Sequence, residues 1–344
     1  MVNAAILASV ILSGALTIAG QTTQEPHAFF REQMGLSDAQ IAMIGHGKAV
    51  AKVLPSKTPA EIIIFGAVFV KAAPEKYVQL AFDLGRLRRL PAYLGVGRIG
   101  DPPMLSDLEG FELEPEDIRN LKTCKPGKCG VQLPAEAMQQ LQRTLDWSDP
   151  KIDKQVNDRV RRMALDVLLR YRKVGNRALW SYHDTESPFD VDAQLQSLLA
   201  RSEALPVYLP DLSRYLLKYP NATPANVESL FYWERVNFGM KPTLRLNHAI
   251  AYRSASPRGA AQVVAVKQLY ASHYFQLALD LTACVAENSS GGDTGFYLIS
   301  LRGSTQQGFT GLMGSILRRI VVSKTRSAQE KALSNVKMAL EGKQ

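Results

Sequence analysis

Phe275-Gln-Leu-Ala-Leu-Asp-Leu-Thr-Ala-Cys-Val285 decides the fold. Phe275, Leu277, Leu279, Leu281, Ala283 and Val285 alternate with Gln276, Ala278, Asp280, Thr282 and Cys284. A period of two puts one set on each side of an extended chain, so this run reads as a strand with one apolar face. Asn288-Ser-Ser-Gly-Gly-Asp293 follows as a hairpin-type loop, and residues 295–302 read as the return strand. Upstream, Leu244, Leu246, His248, Ile250 and Tyr252 alternate with Arg245, Asn247, Ala249 and Ala251, and residues 263–274 form another strand candidate. Together these runs predict an antiparallel meander.

Further upstream the signals are mixed. Residues 48–54 and 61–70 read as strands. In the second, Ile62-Ile63-Ile64-Phe65 and Ala67-Val68-Phe69-Val70 flank Gly66, which marks a bulge or a close approach in a buried strand. Pro74-Glu75 opens a helix expected to run to about Arg89, since proline and an acid both suit a first turn. Residues 93–100 read as a short strand, and the alternation over 108–113 predicts one more. From 134 to 232 the pattern is helical. Ile152, Val156, Val160, Met163, Val167, Tyr171 and Val174 keep the three-and-four spacing of an amphipathic helix. Further helices are expected over 191–202 and 210–218. The chain closes with a helix over 310–340, whose apolar face carries Leu312, Ile316, Ile320, Leu333, Val336 and Leu340.

The chain has 344 residues, 46% hydrophobic and 21% charged, enough apolar material for a core. Residues 4–20 are apolar except for Ser9, Ser13 and Thr17, and carry no charge. Thr17-Ile18-Ala19 puts small residues where a signal peptidase reads, so 1–20 is expected to be a cleaved export signal and the protein periplasmic or secreted. The run is slightly shorter than the roughly 20 residues of a span. An uncleaved anchor is the alternative, because no Lys or Arg precedes the run.

Export gives the cysteines a meaning. Cys124-Lys-Pro-Gly-Lys-Cys129 holds a Pro-Gly turn between two thiols, which reads as a local disulfide in an oxidising compartment. Half a zinc site competes with it, but no nearby His or Cys pair completes the ligand set. Cys284 is expected to be a free thiol. The net charge of +9 is local: residues 151–177 carry nine basic and three acidic residues, and 310–344 seven and two. Those segments are solvated helix faces or contacts to an anionic membrane surface. Export and the lack of any binding motif argue against nucleic acid as a partner.

Two stretches carry a family resemblance. Val68-Phe69-Val70-Lys71-Ala72-Ala73-Pro74-Glu75-Lys76-Tyr77 ends a strand in an Ala-Pro-Glu turn into a helix, and Phe296-Tyr297-Leu298-Ile299-Ser300-Leu301 precedes the final helix. In this element order the chain resembles the START-like (SRPBCC) helix-grip superfamily over residues 47–118 and 236–341. The helical segment between them departs from the small members. The resemblance implies an α+β fold, a curved antiparallel sheet gripping the long C-terminal helix around an apolar cavity. It divides the chain into 21–118, a helical insertion with the disulfide loop over 119–235, and 236–344. Members bind lipids, sterols or polyketides, and some are cyclases or hydrolases on such ligands. The chain is then an exported carrier of a hydrophobic, lipid-like ligand that needs no cofactor. Its ligand contacts are expected at Trp233, His248, Tyr252, Tyr270 and His273, with Ile316 and Ile320 from the helix. The alternatives are an enzyme with His248 or His273 as acid/base, and an envelope interaction protein with a filled core.

Other motifs say less. None of the five histidines forms a His-x-x-x-His pair, so no metal site is expected. Gly95-Val-Gly97-Arg-Ile-Gly100 matches a dinucleotide fingerprint by letter, but Asp101-Pro102-Pro103 blocks the helix a pyrophosphate would need. His273 and His248 each lie on an apolar strand side, as an acid/base group or as a core histidine satisfied by a neighbour. His183-Asp184-Thr-Glu186 with Asp190 and Asp192 reads as a solvated loop with a helix cap rather than a metal loop. Phe231-Tyr-Trp233 packs the insertion onto the sheet, or lines a pocket.

Overall fold

The computed structural model describes residues 26–202, 204–256, 259–286, 295–306 and 311–343, with backbone only for 255, 256, 259, 260, 311–317 and 320. The export signal over 1–20, the hairpin loop 288–293 and the side chains of Leu312, Ile316 and Ile320 lie outside the described residues.

The first part comprises α1 (Pro26–Ala28), a π-helical turn (Phe29–Gln33), α2 (Asp38–Gly45), β1 (Val50–Leu54), β2 (Glu61–Val70), α3 (Glu75–Phe82), α4 (Leu84–Arg88) and β3 (Tyr93–Ile99). Helices α5 (Pro115–Leu121), α6 (Ala135–Thr144) and α7 (Ile152–Val174) follow. A small ribbon then pairs β4 (Ser181–Tyr182) with β5 (Phe189–Asp190). Helices α8 (Val191–Ala200), α9 (Ala204–Tyr208) and α10 (Pro210–Lys218) complete the helical segment. The meander is β6 (Val227–Val236), β7 (Thr243–Ser256), β8 (Gly259–Ala271), β9 (Phe275–Ala286) and β10 (Phe296–Gln306), and α11 (Gly311–Leu340) ends the chain. Eight strands form one sheet in the order β1-β2-β10-β9-β8-β7-β6-β3, antiparallel throughout. The fold is therefore α+β, an antiparallel sheet with a long C-terminal helix on it and a helical insertion between β3 and β6.

The alternation in the sequence sorts side chains to the two faces. On one face Val68, Val70, Cys284, Phe296 and Leu298 meet Leu333 and Leu340 of α11, with Tyr77 and Leu80 of α3 alongside. Gly66 is a close approach: a Cβ there would stand 2.7 Å from Leu333 Cδ1. The opposite face carries two cores. Phe65, Ala67, Phe69 and Tyr297 pack under Phe30, Leu36, Ile41 and Ile44 of the N-terminal helices. Phe231, Leu246, Ile250, Val263 and Leu279 pack under the insertion, including Val160, Leu168 and Tyr171 of α7. Among the described residues no helix is long and apolar enough to cross a membrane.

Four local expectations need correction. The run 108–113 is not a strand: Leu108, Phe111 and Leu113 all enter one core, with Gly110 turning the chain at φ +82° between them. The helix from Pro74 breaks at Asp83, whose side chain accepts from Arg86 N and caps α4. The helical segment ends before Val227, not at 235, because β6 belongs to the sheet. Leu230 to Trp233 are buried on both faces, so no alternation marks that strand. Finally, β8 stops at Ala271, and 272–274 turn into β9. Tyr274 takes the left-handed position at φ 60°, a place usually signalled by Gly or Asn.

Candidate functional site

His248 and Lys267 face each other across β7 and β8, both with 0% exposure. His248 stacks on Phe231 at 4.4 Å, and its Nδ1 lies 3.1 Å from the Tyr171 hydroxyl. Its Nε2 has no hydrogen-bond partner among the described residues. The Lys267 ammonium donates to Asn176 Oδ1 at 2.7 Å and sits 4.7 Å from the Tyr171 ring centroid. No carboxylate pairs with it among the described residues. Burial pulls its pKa down from 10.5 to about 7. Burial, and then the Lys267 charge, push His248 well below the usual histidine range. An amine that titrates near neutrality beside an uncharged imidazole is a base or nucleophile by type. Sealed as it is, the cluster here joins sheet to insertion: Asn176 also donates to Leu216 O and Leu217 O at the end of α10.

His273 lies elsewhere, in the β8–β9 turn. Its Nε2 is 2.8 Å from Asp117 Oδ2, and Lys241 Nζ donates to Asp117 Oδ1 at 2.6 Å. Burial acts to raise the Asp117 pKa, but the bonds from His273 and Lys241 outweigh it and hold the carboxyl below its usual range. Tyr274 braces the same corner, its hydroxyl accepting from Lys241 N at 3.2 Å. The two histidines expected to share one cavity thus belong to separate clusters.

The aromatic candidates are packed. Trp233 donates from Nε1 to Asp107 O at 2.9 Å and covers Gly95, Gly97 and Gly110. Tyr270 is buried among Phe111, Trp180 and Tyr182, and its hydroxyl has no hydrogen-bond partner among the described residues. Tyr252 is buried in the core under the insertion. Lys267 is the group the sequence reading missed, although a charge at the parity of Val263 and Ala265 was the signal for it.

An apolar recess with room for a ligand lies at the seam of the two cores. Phe29, Leu205 and Tyr208 wall it from the helices, and Val263, Leu281, Ala283, Ile299 and Leu301 floor it from β8, β9 and β10. It has a volume of about 160 Å³, and among the described residues none that lines it is charged. A cavity of roughly 150 Å³ lined by aliphatic side chains holds a benzene ring. This groove therefore has room for a ring or a short run of methylenes. It lies on the face opposite α11, and Trp233, His248, Tyr252, Tyr270 and His273 do not line it.

Cys124 and Cys129 are joined in a disulfide, which removes both sulfurs from any zinc site, and Cys284 is buried and free. Their loop docks on the β4–β5 ribbon through Gly127 N to His183 O and Cys129 N to Asp184 O. No protein-family model matches the chain, and no curated protein matches it. The functional reading therefore rests on geometry.

Proposed function

We propose that this protein is an exported carrier for a hydrophobic, lipid-like ligand whose apolar part seats in the groove over β8, β9 and β10. The observation that carries it is the half-buried row Leu281, Ala283, Ile299 and Leu301 on central strands, where a sheet is ordinarily covered. The disulfide supports an oxidising compartment, and the resemblance to helix-grip proteins supports an apolar ligand. The basic helices support contact with an anionic membrane surface, although Lys154, Arg161 and Arg172 of α7 are engaged in ion pairs within the chain. Organic extraction of the purified mature protein, followed by mass spectrometry, is expected to release a lipid. Absence of any lipid, together with no stabilisation by added fatty acid, would exclude a carrier.

One observation favours a second reading, an enzyme on such a ligand. A buried carboxylate holding His273 is the usual way to orient an acid/base imidazole. His273→Gln and His248→Gln should then abolish turnover and spare binding. Full activity in both would make the histidines structural.

A further inference from the structure

A second recess, on the insertion, is separate from the groove. It is a pocket of about 640 Å³ between α6, α7 and the segment leading into β4. That volume is within the usual range of small-molecule sites, roughly 300–1,000 Å³. Arg159, Arg162 and Arg170 stand along one stripe of α7 and line it. Arg170 is paired with Asp166 at 3.8 Å. Arg159 and Arg162 make no ion pair or hydrogen bond among the described residues, whereas Arg161 between them bonds Glu112 and Asp158. Glu136 and Asp166 also line the pocket, so its three arginines stand against two carboxylates, with Arg159 and Arg162 the ones not held in an ion pair. The other wall is apolar, with Met163 and half-buried Trp180.

We propose that this pocket binds a phosphate ester. The phosphate oxygens engage Arg159 and Arg162, and the apolar group attached to them lies on Trp180 and Met163. Two guanidinium forks one helical turn apart suit a dianion with three equivalent oxygens, whereas a carboxylate satisfies a single fork. An indole face accepts a ring or an acyl stem equally well. The site shares no residue with the groove, so either can fail without the other.

The ester can be a soluble molecule or a lipid headgroup, and the test separates them. The full mature chain is titrated with 1-naphthyl phosphate, with inorganic phosphate and 1-naphthol as comparisons, while tryptophan emission is followed. Flotation with phosphatidylcholine vesicles, with and without phosphatidic acid, is the second arm. The expected result is saturable binding of 1-naphthyl phosphate, tighter than either half alone, with a Trp180→Phe variant losing the optical signal. Arg159→Gln with Arg162→Gln should weaken it at least tenfold. The corresponding double Lys variant, which keeps charge and loses the forks, should fall between. Arg326→Gln on α11 serves as a control and should have no effect. Binding of the soluble ester alone assigns a free ligand. Flotation that depends on phosphatidic acid and on Arg159 and Arg162 assigns a headgroup. No binding in either arm, or binding that the double Gln variant leaves intact, overturns the proposal.

Discussion

The two faces of the sheet are covered in different ways. On one face α11, with α3 beside it, closes Val68, Val70, Phe296 and Leu298 beneath Leu333 and Leu340, and α3 with α4 covers Val96, Leu230, Tyr232 and Ala249. The other face is shared between the N-terminal helices and the insertion, each with its own core. Where those coverings meet, Leu281, Ala283, Ile299 and Leu301 stay half-buried around the groove. The seam is bridged at its rim by Phe29 against Tyr208, ring centroids 5.6 Å apart, and by the Arg201–Glu61 ion pair. On the opposite face the N-terminal helices and the insertion must both be satisfied, and the shortfall collects between them.

The contrast breaks most sharply where the insertion is locked down. Gly175 has φ +69°, and a Cβ there would stand 1.8 Å from Tyr219 O. Backbone strain and overpacking together should make Gly175→Ala cost on the order of 4 kcal/mol in urea unfolding. Gly66→Ala meets only the end of Leu333 and Gln329 side chains and should cost far less.

Asp117→Asn comes next, at about 3 kcal/mol, because it takes the carboxylate from buried His273 and from half-buried Lys241, which keeps only Glu116. Asp117 titrates lower in the folded protein than the usual 3.8. Its contribution is therefore present above the unfolded value and lost as pH falls through the folded one. The wild-type protein should lose stability below about pH 4, and the Asn variant should show a shallower acid limb.

Lys267 has a pH dependence of the same sign, but as a penalty on its charged form rather than a gain. Its folded pKa of about 7 lies below 10.5, so between those values the unfolded chain binds more protons. Stability should rise with pH across that window and level off below it. Lys267→Met should raise Tm at pH 7, flatten the alkaline rise, and be worth a few kcal/mol at most. A fall in Tm would show that the Asn176 bond outweighs the burial of the amine. The smallest effect belongs to the disulfide: replacing Cys124 and Cys129 by Ser, which opens a short loop, should cost about 2 kcal/mol.

The meander and the terminal helix were legible because period two and period 3.6 are written in single residues such as Leu277, Leu279 and Leu281. The disulfide was legible from its Pro-Gly turn. Strand β6 was not, since burial on both sides erases alternation, and neither was the turn at Tyr274, which lacks a turn residue. The site was least legible of all. His248 and His273 are on strands and turns read from local pattern, but their partners Tyr171 and Asp117 lie 77 and 156 residues away. The groove joins residues from Pro26 to Leu301, a juxtaposition that no local window contains.

One measurement compares the two faces directly. A dansyl-labelled undecanoic acid is titrated into the wild type, an Ala283→Trp variant that fills the groove, and a Ser300→Val variant on the α11 face. Ser300 is buried, and its hydroxyl has no hydrogen-bond partner among the described residues. A carrier that uses the groove predicts saturable fluorescence enhancement in the wild type, loss of it in Ala283→Trp and retention in Ser300→Val. Undiminished binding in Ala283→Trp, or loss in Ser300→Val alone, would contradict it and move the ligand beneath α11.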